Sequence, residues 1–139
     1  MLKIFLVGIP TLWYAIVPPL VDISSTHVFH PDWPGHARFH MMWLLVTTAL
    51  LSFFALYCLL RGYPDKIIGA RIASIISIGV YSGFFVSFFT MNLFGGTLQD
   101  QNGVESIMGI NANLFVFIPL FIMLCAGAVF AFSSNEDKK

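Results

Sequence analysis

The sequence predicts an all-α polytopic membrane protein: a four-transmembrane-helix bundle forming one domain over residues 1–139. Three observations predict it. The chain is 58% hydrophobic and only 10% charged, whereas a soluble domain carries about 25% charged residues. Four apolar runs each approach or exceed the roughly 20 residues needed to cross a hydrocarbon core of about 30 Å. Lys and Arg lie almost wholly on one side of those runs. So much apolar surface cannot be hidden inside a soluble core built from 139 residues. Seven basic and seven acidic residues cancel, so no global field recruits a polyanion. A disordered tail, a nucleic-acid binder and a typical cytosolic enzyme are thereby excluded.

The first span is Leu2–Val21. It has no small-x-small cleavage site and is too long for a signal-peptide core, so it reads as a retained helix. Pro10, Pro18 and Pro19 predict a bend and an early, irregular end. The second span is His36–Leu60, with Pro34 suited to the first helical position. The third is Ile67–Leu93, long enough to tilt. Its Gly69, Ala73 and Ser77 form a small-xxx-small stripe that allows close helix approach. The fourth is Leu114–Phe132, with a kink expected at Pro119. Between spans two and three, Arg61–Lys66 has the Gly and Pro of a tight turn. Val104–Ile110 in the third connection is expected to form a short interfacial helix. Cys58 and Cys125 lie in apolar runs without metal-ligand spacing and read as packing residues.

Orientation follows from charge. Lys3, Arg61, Lys66, Arg71, Lys138 and Lys139 share one side, and only Arg38 lies on the other. By the positive-inside rule both termini face the cytoplasm, and a bacterial inner membrane is the expected location. His27, His30, His36 and His40 then all fall on the outer side, with Asp22, Asp32, Asp100 and Glu105.

The segment Asp22–His40 concentrates this chemistry. Pro31 and Pro34 keep its first part out of a helix. His36 and His40 stand one helical turn apart on the same face. Spanning a bilayer requires none of these ionisable groups. Three readings stay open. In the first, His36, His40 and Asp32 are acid–base groups, since imidazole titrates near neutrality. His27, Arg38, Trp33, Trp43 and Asp22 would then bind a small lipid-like or quinone-like molecule, with Arg38 able to hold an anionic headgroup. In the second, His36 and His40 with His27 ligate a transition metal. A di-iron site of the membrane desaturase kind needs more histidines than four. Haem is disfavoured because its two axial histidines usually come from two helices. In the third, the same groups are structural: Asp22 at a helix N-terminus, His27 and His30 capping carbonyls, Arg38 snorkelling to the interface. Trp33 and Trp43 also suit interfacial anchoring.

Further along, Tyr81, Ser82, Ser87, Thr90 and Asn92 add polar groups to the outer half of the third span, where they line a pocket or bond their own helix. Phe84, Phe85, Phe88 and Phe89 give that span an aromatic face. The third connection is long enough to close over the first and bring Asp100 or Glu105 towards the histidines. Expected partners are membrane lipid, a small hydrophobic ligand, and a larger membrane complex or further copies of the chain.

The run Thr26-His27-Val-Phe-x-Pro31-x-Trp33-Pro34-x-His36-Ala37-Arg38-Phe39-His40 resembles a family of small, uncharacterised bacterial four-span membrane proteins, broadly DoxX-like. The resemblance implies the four-span fold and marks His27, His36, Arg38 and His40 as pattern residues. It implies no activity.

Overall fold

The computed structural model describes residues 1–99 and 103–133. Four helices account for most of them: α1 (Leu2–Asp22), α2 (Gly35–Arg61), α3 (Lys66–Thr90), followed by a 3-10 turn at Met91–Leu93, and α4 (Ala112–Ser133). All four are long and apolar enough to cross a membrane. The fold is therefore all-α, an integral membrane four-helix bundle.

Helix ends follow local chemistry. Gly62 adopts the left-handed conformation (φ 63°) that closes α2, which glycine reaches without a Cβ penalty. Asp65 caps α3 by accepting from the Ile67 and Ile68 N–H groups, both at 2.8 Å. Asn111 caps α4, its Oδ1 accepting from the Asn113 N–H at 3.0 Å. Pro34 is the residue before α2 rather than its first, with φ −61° and ψ 148°. Extended ψ suits a cap whose carbonyl already enters the helix.

α1 corrects one expectation. It does not end early: all three prolines sit inside it and it runs to Asp22. Proline forfeits an N–H and clashes with the carbonyl one turn back, yet in lipid an unwound segment would strand still more polar groups. The third connection corrects another. Val104–Ile110 forms no helix. Ile107 and Ile110 instead exchange two backbone bonds of 2.8 and 3.0 Å across Met108 (φ 53°) and Gly109 (φ 80°). Two successive positive-φ residues make this a primed turn.

Neighbouring helices run antiparallel. Gly69 in the first turn of α3 lies on the last turns of α2 at Cys58, and Gly127 near the end of α4 lies on Leu6 and Val7 of α1. Around the bundle α1 packs on α2, α2 on α3, α3 on α4 and α4 on α1; α1 also meets α3 across the diagonal, and α2 does not meet α4. The 61–66 turn therefore sits at the end where α1 begins. The connection 23–34 and the described parts of the third connection, 94–99 and 103–111, share the opposite end.

Buried hydroxyls join the short diagonal. Thr11 donates to the Val7 carbonyl at 2.7 Å, so its single proton is used. Ser77 Oγ, 2.7 Å away, must then donate to Thr11. Tyr14 OH, 3.2 Å from Ser77, must in turn donate to Ser77. Tyr81 OH reaches the Pro10 carbonyl at 3.0 Å. Among the described residues no buried side-chain polar atom lacks a partner, as a hydrocarbon surrounding demands. In α3, Ser74 and Thr90 donate to carbonyls one turn back, those of Ala70 and Val86. Cys58 is buried, Cys125 half-buried, and both are thiols.

Candidate functional site

At the end carrying the long connections lies a cavity of about 810 Å³. α1, α3, α4 and both connections line it, and α2 does not. Its lining is mixed: apolar Val17, Pro18 and Val21 from α1 and Val116 and Phe117 from α4, together with polar Asp22, Ser24, Thr26, His27, Gln99 and Asn113. The two connections thus meet around one space, which spacing alone could not establish.

His27 is the focus of the polar part of the lining. Its Nδ1 lies 2.8 Å from Thr26 Oγ1 and 3.5 Å from Asp22 Oδ1. Thr26 Oγ1 is also 2.9 Å from Ser24 Oγ. Trp33 meets the imidazole edge-on, ring centroids 5.6 Å apart, and His30 stacks on Trp33 at 5.7 Å. The local chain builds this cradle: α1 stops at Asp22, the Val28 N–H returns to the Asp22 carbonyl at 3.0 Å, and the tight turn brings His27 back over the helix end. The His27 and Asp22 side chains stay 30% and 20% exposed, so both are accessible yet partly dehydrated. With Nδ1 engaged, Nε2 is the ring nitrogen left for a ligand.

The structure divides the sequence-derived set. Asp22, His27 and Trp33 line the cavity; His36, His40, Asp32, Arg38 and Trp43 do not. Arg38 instead holds the first connection against α2, donating from Nη2 to the His30 and Pro31 carbonyls at 2.6 and 3.1 Å and from Nε to the Trp33 carbonyl at 3.1 Å. Asp32 is exposed, and its backbone N–H donates to His30 Nδ1 at 3.2 Å. His36 and His40 are exposed on α2 with Nε2 atoms 3.0 Å apart, and His40 stacks on Trp43 at 5.8 Å. Among the described residues no group of three or more His, Cys, Asp or Glu is placed to hold a metal. Glu105 is exposed and absent from the cavity lining; Asp100 lies outside the described residues.

Sequence reasoning passed over Trp13, Gln99 and Asn113, which line the cavity. Trp13 is one of several aromatics in an apolar run and carries no signal of its own. The pair Asn111 and Asn113 ahead of an apolar run does signal a helix start, and Asn113 Nδ2 also reaches the Leu98 carbonyl at 3.1 Å, tying the third connection to α4. The aromatic face on α3 divides too: Phe84 stacks on Phe117 at 4.1 Å and lines the cavity, whereas Phe89 is exposed.

Fold and cavity define a helical integral membrane protein with a chamber at one end of the bundle. No protein-family model, curated protein or solved structure matches the chain.

Proposed function

We propose that this chain binds a small molecule with an apolar body and a polar head, of quinone-like or lipid-like chemistry, in the cavity between α1, α3, α4 and the two long connections. One observation carries the reading: a space of about 810 Å³ whose lining combines apolar residues of α1 and α4 with the His27–Asp22 pair. Small-molecule sites typically enclose about 300–1,000 Å³ and are mostly apolar with a few convergent polar groups. The apolar residues take the ligand's body, and His27 Nε2 meets its head, where it can exchange a proton with a hydroxyl group. The pair equips the site for acid–base conversion as well as binding, and moves that role from His36, His40 and Asp32 to His27 and Asp22. The lysine and arginine asymmetry orients this end outward with both termini in the cytoplasm, in a bacterial inner membrane. The DoxX-like resemblance of residues 26–40 belongs to this reading and contributes the fold without an activity.

The test uses Trp13 and Trp33, which line the cavity, as reporters in a Trp43→Phe background. Titration with a short-chain ubiquinone analogue is expected to quench them saturably, and His27→Ala and Val116→Phe to weaken that quenching. Organic extracts of the purified protein are expected to hold a quinone or lipid at levels above the bulk detergent–lipid mixture. Quenching without saturation, together with extracts that match the bulk, would refute the reading.

A further inference from the structure

We propose that His36 and His40 form a bidentate site for a tetragonal divalent transition ion, Cu(II) or Ni(II), on the exposed face of α2 and separate from the cavity. The two residues occupy successive turns of one helix, so the backbone fixes their spacing before any ion arrives. Their Nε2 atoms are 3.0 Å apart, with ring centroids 4.4 Å apart and planes at 87°. Two nitrogens bound at about 2.05 Å in cis positions of a tetragonal ion, 90° apart, stand about 2.9 Å from each other. A tetrahedral ion would need about 3.4 Å. The observed spacing fits the tetragonal ions without moving the helix. One proton now links the two nitrogens, and an ion would replace it.

Only imidazoles are offered. Among the described residues no carboxylate or thiol joins the pair, so hard ions such as Mg²⁺ and Ca²⁺ have no oxygen ligands there. Imidazole suits Cu, Ni and Zn, and the general affinity order places Cu(II) first. Arg38 does not share the face, since it lies two residues from each histidine and its guanidinium is bonded to three carbonyls of the first connection. Water completes the coordination, which leaves the ion open to a further donor. Trp43 stacks on His40 at 5.8 Å and supplies a reporter.

The experiment titrates the full, tag-free chain in detergent micelles with Cu(II), in a Trp13→Phe/Trp33→Phe background where Trp43 alone fluoresces. One ion per chain is expected to quench Trp43, with an electron paramagnetic resonance spectrum coupled to two imidazole nitrogens. His36→Ala and His40→Ala should each weaken binding by roughly tenfold or more, because the second imidazole acts at a millimolar or higher effective concentration. His27→Ala and His30→Ala should leave it unchanged, and Zn(II) should bind less tightly than Cu(II). Full quenching in the His36→Ala/His40→Ala double variant overturns the proposal. So does loss of the site in His27→Ala or His30→Ala. The quinone titration reads Trp13 and Trp33 instead, so the two proposals fail separately.

Discussion

Replacing Gly69 by alanine should unseat α3 from α2. A Cβ built at Gly69 overlaps the Cys58 carbonyl oxygen and comes within 3.0 Å of both the Cys58 carbonyl carbon and the Tyr63 carbonyl oxygen. All three are backbone atoms, so no side chain can rotate away. The helices must part by about 1 Å, a gap that forfeits a quarter to a half of each dispersion contact along the seam. Cys58, at the point of contact, is fully buried. Overpacking of this kind typically costs about 1–3 kcal/mol, and the rigidity of the obstructing atoms places Gly69→Ala near the upper end. Gly79 and Gly83 on the same helix provide the control, because a Cβ at either meets nothing within 4 Å. Alanine there should be neutral or stabilising by up to about 1 kcal/mol, from helix propensity alone. Unfolding titrations in mixed micelles, followed by circular dichroism, read the three variants side by side. A Gly69→Ala chain as stable as Gly79→Ala or Gly83→Ala would refute the close-approach argument.

Three further outcomes test other parts of the structure. Ser77→Ala orphans the Tyr14 hydroxyl in the core, which should cost about 1–3 kcal/mol. Adding Tyr14→Phe removes the orphan, so the double variant should be less destabilised than the sum of the singles by about 1 kcal/mol; simple additivity in the same titration would rule out the Tyr14–Ser77 hydrogen bond. Arg38→Lys keeps the charge but cannot span three carbonyls with a planar fork. Limited proteolysis and amide exchange over residues 23–34 should therefore speed up in Arg38→Lys nearly as much as in Arg38→Ala, and wild-type rates in the lysine variant would show that charge alone suffices. Val116→Phe should shrink the cavity while leaving Cu(II) quenching of Trp43 unchanged, and a joint loss would mean that the two sites are coupled.

Much of the bundle was legible because membrane insertion reads local quantities. Run length and charge depletion set the four spans to within two residues at most boundaries, and the Gly69/Ala73/Ser77 stripe located the buried face of α3. Two expectations failed for physical reasons. Proline's tendency to end a helix gave way to the penalty on unpaired backbone in lipid, so α1 continued to Asp22. The short apolar segment after Gly103 had no periodicity to separate helix from turn, and positive φ at Met108 and Gly109 decided for the turn.

The candidate site was legible only in its ingredients. Sequence alone determined that imidazoles and carboxylates gather at one end, that His36 and His40 share a face, and that four helices cross the bilayer. Each follows from spacing along the chain and from the cost of charge in hydrocarbon. Which face of α2 turns inward was not written there, because a helix apolar all round has no polar stripe to mark its outside. Packing against α1 and α3 settled it, leaving His36 and His40 exposed. The meeting of two connections some 60–90 residues apart around one cavity is a non-local contact, and its geometry emerges only when the helices dock.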